Sequence, residues 1–290
     1  MERIERVFDT ALHPPSSLDK LEIQYFFGRR YPTWLTTASV GLLLGNLRRL
    51  VLVDCRLCPW LPPLGKLPNL EFLRIRGASA VVAIGSEFLG CEAAGGKRRS
   101  SSPVSFPKLT ELWFDGMINW EEWHWGVIGD DEVAVAMPRL SHLHLVDCPR
   151  LRDLPEALSR HATALTRLQT KGVGSLKSIC GFSSMKRMQI HDESGLESVS
   201  DLPALEFLEV SNNKMSHLPK WLVTGLAQFT ALQRLDIEGS SQLLRSCLQN
   251  GEEWPRLSHV PIVYIQDDQH KYICYIKEFI HRLHQLKGTQ

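Results

Sequence analysis

Apolar residues return at the first, fourth and sixth places of a short phrase that recurs ten times along the chain. The clearest copies are Leu18/Leu21/Ile23, Leu47/Leu50/Leu52, Leu70/Leu73/Ile75, Leu109/Leu112/Phe114 and Leu140/Leu143/Leu145. Five more follow at Leu165/Leu168/Thr170, Met185/Met188/Ile190, Leu205/Leu208/Val210, Leu232/Leu235/Ile237 and Leu257/Val260/Ile262. Side chains alternate between the two faces of a strand, so places four and six share one face and the residues around them take the other. Each phrase therefore predicts one short strand with its large apolar residues turned inward. One such unit cannot bury its apolar side alone, whereas stacked neighbours form a continuous core.

With 43% of residues apolar, three matching places mean little by themselves; the agreement around them carries the inference. Pro-x-Leu opens five copies, at Pro68, Pro107, Pro138, Pro203 and Pro255. Leu-Val-Asp-Cys closes two strands, ending at Cys55 and Cys148, and Pro-x-Trp-Leu occurs at Pro32–Leu35 and Pro219–Leu222. A full eleven-place leucine-rich phrase stands at Leu47–Leu57 and Leu205–Met215. The predicted fold is an α/β leucine-rich-repeat solenoid, with a curved parallel sheet on the concave face and an irregular convex side. Phrase starts lie 20 to 39 residues apart, which makes the convex side irregular. Pro62, Pro63, Pro155 and Pro219 suit extended or turn-like returns there. Asn213, Cys55 and Cys148 fall where the chain leaves the strand, placed to meet backbone groups of adjacent coils.

Two segments break the pattern. Residues 90–104, with Gly95-Gly96-Lys97-Arg98-Arg99 and three serines, read as a mobile surface loop. From Asp267 or Asp268 onward, Tyr272, Ile273, Ile276, Phe279, Ile280, Leu283 and Leu286 trace one apolar stripe. That period predicts a capping helix over 267–290, leaving residues 1–266 as the repeat array. Residues 2–12 resemble the return segment of an earlier repeat, and no lid precedes Leu18; the expectation is a fragment or a shortened gene product, with apolar surface open near Leu12, Leu18 and Leu21.

Composition narrows the class. A net charge of +1 disfavours a nucleic-acid partner. No apolar run approaches the ~20 residues needed to span a bilayer, and no secretory leader is visible. Seven scattered cysteines suit reduced thiols in a cytoplasmic protein. Cys55-x-x-Cys58 has metal-ligand spacing but lacks a second pair. Glu278, His281 and His284 share one predicted helix face, which is one helix where such metal sites draw on several. Trp120, Trp123 and Trp125 could form a binding patch or pack onto the core. No nucleophile–base or paired-carboxylate constellation emerges, so neither catalysis nor a cofactor or metal is expected.

The outward strand places are more informative. Arg48, Arg49, Arg74 and Arg76 occupy the second and third strands, and Arg167, Lys171, Lys186 and Arg187 the sixth and seventh. Glu206, Glu209, Asp236 and Glu238 occupy the eighth and ninth, and Trp113 and His144 stand between. Strands about 4.8 Å apart would gather each set into a patch of like charge on a protein-binding concave face, basic towards one end and acidic towards the other.

Three phrases carry a family resemblance. They are Leu18-Asp-Lys-Leu-Glu-Ile23 with Tyr31-Pro-Thr-Trp34, then Cys58 to Pro68, then Ile84-Gly-Ser-Glu-Phe88, and Phe106 to Leu112 with Trp120-Glu-Glu-Trp123 extends them. Together they resemble the C-terminal leucine-rich repeats of plant coiled-coil nucleotide-binding disease-resistance proteins, most densely over residues 18–125. The resemblance implies a module that holds a nucleotide-binding switch inactive and helps sense a pathogen effector or a guarded host protein. The family's phosphate loop is not found, because Gly96-Lys97 has Cys91 where the first Gly belongs and Arg98 where Ser or Thr belongs. The expected partners are thus an effector, a guarded host protein or the nucleotide-binding module of a longer protein. A scaffold or ubiquitin-ligase substrate adaptor is the alternative, although no F-box-like segment precedes Leu18.

Overall fold

The computed structural model describes residues 2–90, 104–125 and 135–277. It divides into two compact units, one of Met1–Leu165 with Gly172–Leu176 and one of Thr166–Lys171 with Lys177–Gln290. The first begins with helix α1 (Glu2–Thr10) and holds strands β1 (Lys20–Gln24), β2 (Arg49–Val53), β3 (Phe72–Arg76), β4 (Ala83–Ile84), β5 (Glu111–Asp115), β6 (Glu122–Trp123) and β7 (His142–Val146). Strands β1, β2, β3, β5 and β7 pair in parallel in that order, and β4 pairs separately with β6. Short helices α2 (Thr33–Thr36), α3 (Val40–Leu43) and α4 (Glu156–His161) lie in the returns.

The second unit holds β8 (Arg167–Lys171), β9 (Ser178–Cys180), β10 (Arg187–His191), β11 (Ser198–Ser200), β12 (Phe207–Ser211), β13 (Arg234–Gly239), β14 (Ile262–Asp267) and β15 (Tyr272–Ile276). Here β8, β10, β12, β13 and β14 pair in parallel, and β15 returns antiparallel to β14. Its helices are α5 (Lys220–Gly225), α6 (Ser241–Ser246) and α7 (Trp254–Leu257).

Register reproduces the phrase. Leu21, Leu50, Leu73, Leu112 and Leu143 stand side by side, as do Ile23, Leu52, Ile75, Phe114 and Leu145. In the second unit Leu168, Met188, Leu208, Leu235 and Val263 form one row, and Thr170, Ile190, Val210, Ile237 and Ile265 the next. Nearly all these side chains are fully buried, and each buried aliphatic or aromatic one contributes about 1.5–3 kcal/mol relative to exposure.

A second regularity ends the strands. The residue after each of seven strands sits in the left-handed region: Tyr25, Asp54, Gly77, Gly116, Asp147, Gly172 and Asp192, with φ between 50° and 66°. Gly adopts it freely and Asp tolerates it. The turn still keeps the ladder, since the Asp54 N–H donates to the Arg76 carbonyl at 2.8 Å and Gly77 N–H to that of Asp115 at 2.8 Å. This explains Leu-Val-Asp-Cys: the Asp turns the chain and the Cys enters the core.

Several expectations change. Asn213 is exposed, and its neighbour Asn212 caps the turn by accepting from the Lys214 N–H at 2.9 Å. Carbonyls of earlier coils are instead met by Asn46, Asn69 and Asn119, which donate to Ser16, Gly45 and Ser79 at 2.9, 2.6 and 2.9 Å. The tenth phrase moves by three residues to Val260/Val263/Ile265, because Pro255 stands in the first turn of α7 and Leu257 is the end of that helix. Pro155 and Pro219, themselves extended, each precede a helix of only six residues.

The helix expected from Asp267 is corrected over its first part. Tyr272, Ile273 and Ile276 lie in strand β15, and Asp267 closes the turn before it. Its carboxylate accepts from the Ser241 hydroxyl at 2.8 Å and from the N–H groups of Gln269 and Lys271 at 3.0 and 2.8 Å. Desolvation raises this carboxyl's pKa, but those bonds outweigh it and hold the group below its usual range. Residues 278–290, with the rest of that expected helix, and residues 91–103 of the expected loop lie outside the described residues.

At the other end, residues 2–10 form a helix packed over the first return. Phe8 meets Phe26 edge-on at 5.0 Å, and the Trp34 indole donates to the Phe8 carbonyl at 3.0 Å. Glu5 and Asp9 accept from the backbone N–H groups of Arg29 and Thr33, each at 2.6 Å. Leu12 remains 48% exposed, while Leu18 and Leu21 are half-buried.

Two substitutions probe these rows. Leu50→Asp places an uncompensated charge at a fully buried site, so urea denaturation should show loss of the first unit's cooperative transition; an unchanged midpoint contradicts the assignment. Thr170 is fully buried and its hydroxyl has no partner among the described residues. Thr170→Val should raise stability by about 1 kcal/mol or more, read as a higher urea midpoint; a lower midpoint contradicts its inward place.

Candidate functional site

Period-two alternation leaves three outward rows on the first unit's sheet. Lys20, Arg49, Phe72, Glu111 and His142 form one, and Glu22, Val51, Arg74, Trp113 and His144 the next. Gln24, Val53, Arg76, Asp115 and Val146 complete the set. The predicted basic patch is corrected by what these rows place together. Arg48 pairs with Glu71 at 2.8 Å, Arg74 with Asp115 at 2.5 Å, and Arg76 lies 3.6 Å from the same Asp115 carboxylate. Arg49 lies over the Phe72 ring at 3.7 Å. Trp113 stacks on His144 at 3.6 Å and 7°, and its indole donates to Glu111 at 2.5 Å. The result is a fixed network of ion pairs and planar groups. Exposed pairs of this kind add only ~0–1 kcal/mol each to stability.

In the second unit, Lys186 pairs with Glu206 at 3.1 Å, and Arg234 grips Asp236 through two bonds of 2.7 Å. That pairing raises the Arg234 pKa further, chiefly through the Asp236 hydrogen bond. Glu209 accepts from the Gln189 amide and Glu238 from the Ser211 hydroxyl, both at 2.7 Å. Arg187 lies 3.8 Å over the Phe207 ring. Among the described residues Arg167, Lys171 and Arg187 take part in no ion pair. The expected acidic patch is therefore thinned, with Glu206 and Asp236 neutralised and Glu209 and Glu238 left beside mainly uncharged donors.

One arrangement occurs in both units. A basic pair on one strand, Arg48-Arg49 or Lys186-Arg187, meets Glu-Phe on the next, Glu71-Phe72 or Glu206-Phe207. The first cation pairs with the Glu and the second lies over the Phe ring. Selecting outward charges alone missed Phe72 and Phe207. The repeated Leu-Glu-Phe-Leu at 70–73 and 205–208 is the signal that marks them.

Other candidates resolve into structure. Trp120, Trp123 and Trp125 are buried, with Trp120 4.7 Å from Phe114 and 5.4 Å from Trp123. Glu121 bonds Arg152 at 2.5 Å and Arg150 at 3.4 Å. Burial pushes the thiols of Cys55 and Cys58 up to about 11 and about 12. Among the described residues no group of three or more His, Cys, Asp or Glu could hold a metal. Glu278, His281 and His284, the Lys97-Arg98-Arg99 run and the failed phosphate-loop segment from Cys91 lie outside the described residues.

Comparison with known proteins agrees with the rows and turns. Residues 2–78 match the R13L1/DRL21 leucine-rich-repeat family. The chain is 31% identical over 159 residues to disease resistance RPP13-like protein 1 of Arabidopsis thaliana, covering 52% of this chain and 14% of that one. It is 28% identical over 222 residues to disease resistance protein RGA4 of Solanum bulbocastanum, covering 74% and 18%. Against disease resistance protein RGA2 of the same species it is 30% identical over 162 residues, covering 55% and 14%. The chain spans less than a fifth of the length of these relatives.

Thiol reactivity tests the buried cysteines. In a Cys91→Ser variant, Cys180 and Cys274 are exposed and should react with an aromatic disulfide at pH 8. Cys55, Cys58, Cys148 and Cys247, buried and with raised pKa values, should react only after denaturation. Rapid labelling of Cys55 or Cys58 in the native chain contradicts this placement.

Proposed function

We propose that this chain, whose leucine-rich repeats are of the plant disease-resistance type, is a protein-recognition and autoregulatory module in plant immune signalling. It acts by binding rather than by catalysis and works in the cytoplasm. No helix among the described residues is long and apolar enough to cross a membrane. One observation carries the reading: the outward rows hold planar and charged side chains in fixed positions, with Arg49 on Phe72, Trp113 on His144 and Arg187 on Phe207. Aromatic and arginine groups that are already ordered lose little freedom on association, and such residues dominate binding energies. The partner is a pathogen effector, a guarded host protein or the nucleotide-binding module of a longer resistance protein.

The test replaces the matching repeats of the RGA2 relative with this chain and scores leaf cell death at matched protein levels. Arg49→Glu and Arg187→Glu should each alter resting or effector-triggered death. Lys177→Glu, whose native lysine pairs with Glu197 outside these rows, should leave both unchanged. Indistinguishable effects from all three contradict the proposal.

A further inference from the structure

The second unit's outward face has a polarity that its internal ion pairs leave intact. Arg167 stands directly opposite Arg187, and Lys171 lies two rows further along β8. These three cations have no ion pair among the described residues. Arg187 also lies over Phe207, its guanidinium carbon 3.8 Å from the ring centroid, a contact that favours one placement of the guanidinium before any partner arrives. A stacked guanidinium of this kind suits the planar, two-oxygen geometry of a carboxylate. On the next two strands, β12 and β13, the sign reverses. Glu209 accepts from the Gln189 amide, with the His191 ring 3.9 Å away, and Glu238 accepts from the Ser211 hydroxyl, so among the described residues neither carboxylate is in an ion pair with a lysine or arginine.

We propose that β8–β13 forms the docking surface for an extended protein segment crossing the strands, with acidic side chains over Arg167, Lys171 and Arg187 and basic side chains over Glu209 and Glu238. The proposal rests on the recognition reading above and adds the chemistry of the partner. The cations stand on β8 and β10 and the carboxylates on β12 and β13, so the two sets are centred two strand steps apart, or about 10 Å at ~4.8 Å per step. An extended chain advances ~3.3 Å per residue, so the acidic and basic pairs of the bound segment are centred about three residues apart. A nucleic acid fits this face poorly, because its continuous phosphates would have to pass over the two carboxylates.

The experiment titrates the full chain with a fluorescent dodecapeptide bearing two Glu residues and, centred about three residues on, two Lys residues. Anisotropy should show binding that weakens as salt rises. A peptide with only the acidic pair should bind at least tenfold less tightly, and so should one with only the basic pair. Lys171→Glu with Arg187→Glu should reduce affinity at least tenfold, while Lys177→Glu should leave it within twofold. Circular dichroism of each variant confirms folding, and Arg187→Lys, which keeps charge but loses the planar stack, should give an intermediate loss. Equal binding of the single-sign peptides, or no loss in the double variant, overturns the proposal. So does tight binding only when phosphoserine replaces Glu, which would assign phosphate in place of carboxylate. If the peptide fails while Arg49→Glu still alters cell death in the RGA2 chimera, this docking surface falls and the recognition reading stands. If neither responds, both fall.

Discussion

The in-phase stacking of apolar residues across parallel strands is the constraint on which the rest depends. Because side chains alternate with a strict period of two, slipping any strand by one residue would send its leucines outward and its charges into the core. The burial of Leu50, Leu73, Leu112 and Leu143 therefore fixes more than a core. It also decides which residue faces which across the outward rows. Arg49 meets Phe72 because Leu50 and Leu52 stand in step with Leu73 and Ile75, and Arg74 reaches Asp115 because Leu73 and Ile75 stand in step with Leu112 and Phe114. The surface chemistry follows from the interior packing.

The turn that follows each strand supports this phase. A left-handed residue at Asp54, Gly77, Gly116, Asp147 or Gly172 reverses the chain at the same point in successive coils. At Asp54, Gly77 and Gly116 the N–H still feeds the ladder, donating to the carbonyls of Arg76, Asp115 and Val146. Asn46, Asn69 and Asn119 do comparable work from the return side. The coils can thus differ in return length while their strands remain aligned.

Strand positions were legible in the sequence because leucine at fixed spacing is a local signal, and nine phrases fall where the pattern puts them. The tenth misled because Pro-x-Leu also fits the first turn of a helix, which is what Pro255 and Leu257 build. The segment after Asp267 misled for a related reason. Tyr272, Ile273 and Ile276 satisfy a helical stripe, yet a turn closed by Asp267 returns them against β14 as a strand. The charges expected to face outward do not add up to patches of one sign. Counting Arg48, Arg74 and Arg76 as one basic patch ignores Glu71 and Asp115, which come within reach only once the strands are in register. Partnership across strands is a tertiary property, and residue type alone does not encode it.

The account's central claim is that the outward sheet rows are the working surface, held ready by stacked and paired side chains. Hydroxyl-radical footprinting tests this most directly, comparing the isolated chain with the same repeats inside the full-length RGA2 chimera. Trp113, His144 and Tyr264 line the outward rows, whereas Tyr25 and Trp60 are exposed elsewhere, at 57% and 50%. Engagement of the rows predicts that oxidation falls at Trp113, His144 and Tyr264 in the chimera and persists at Tyr25 and Trp60. Protection of Tyr25 and Trp60 with the row residues unchanged would contradict the claim.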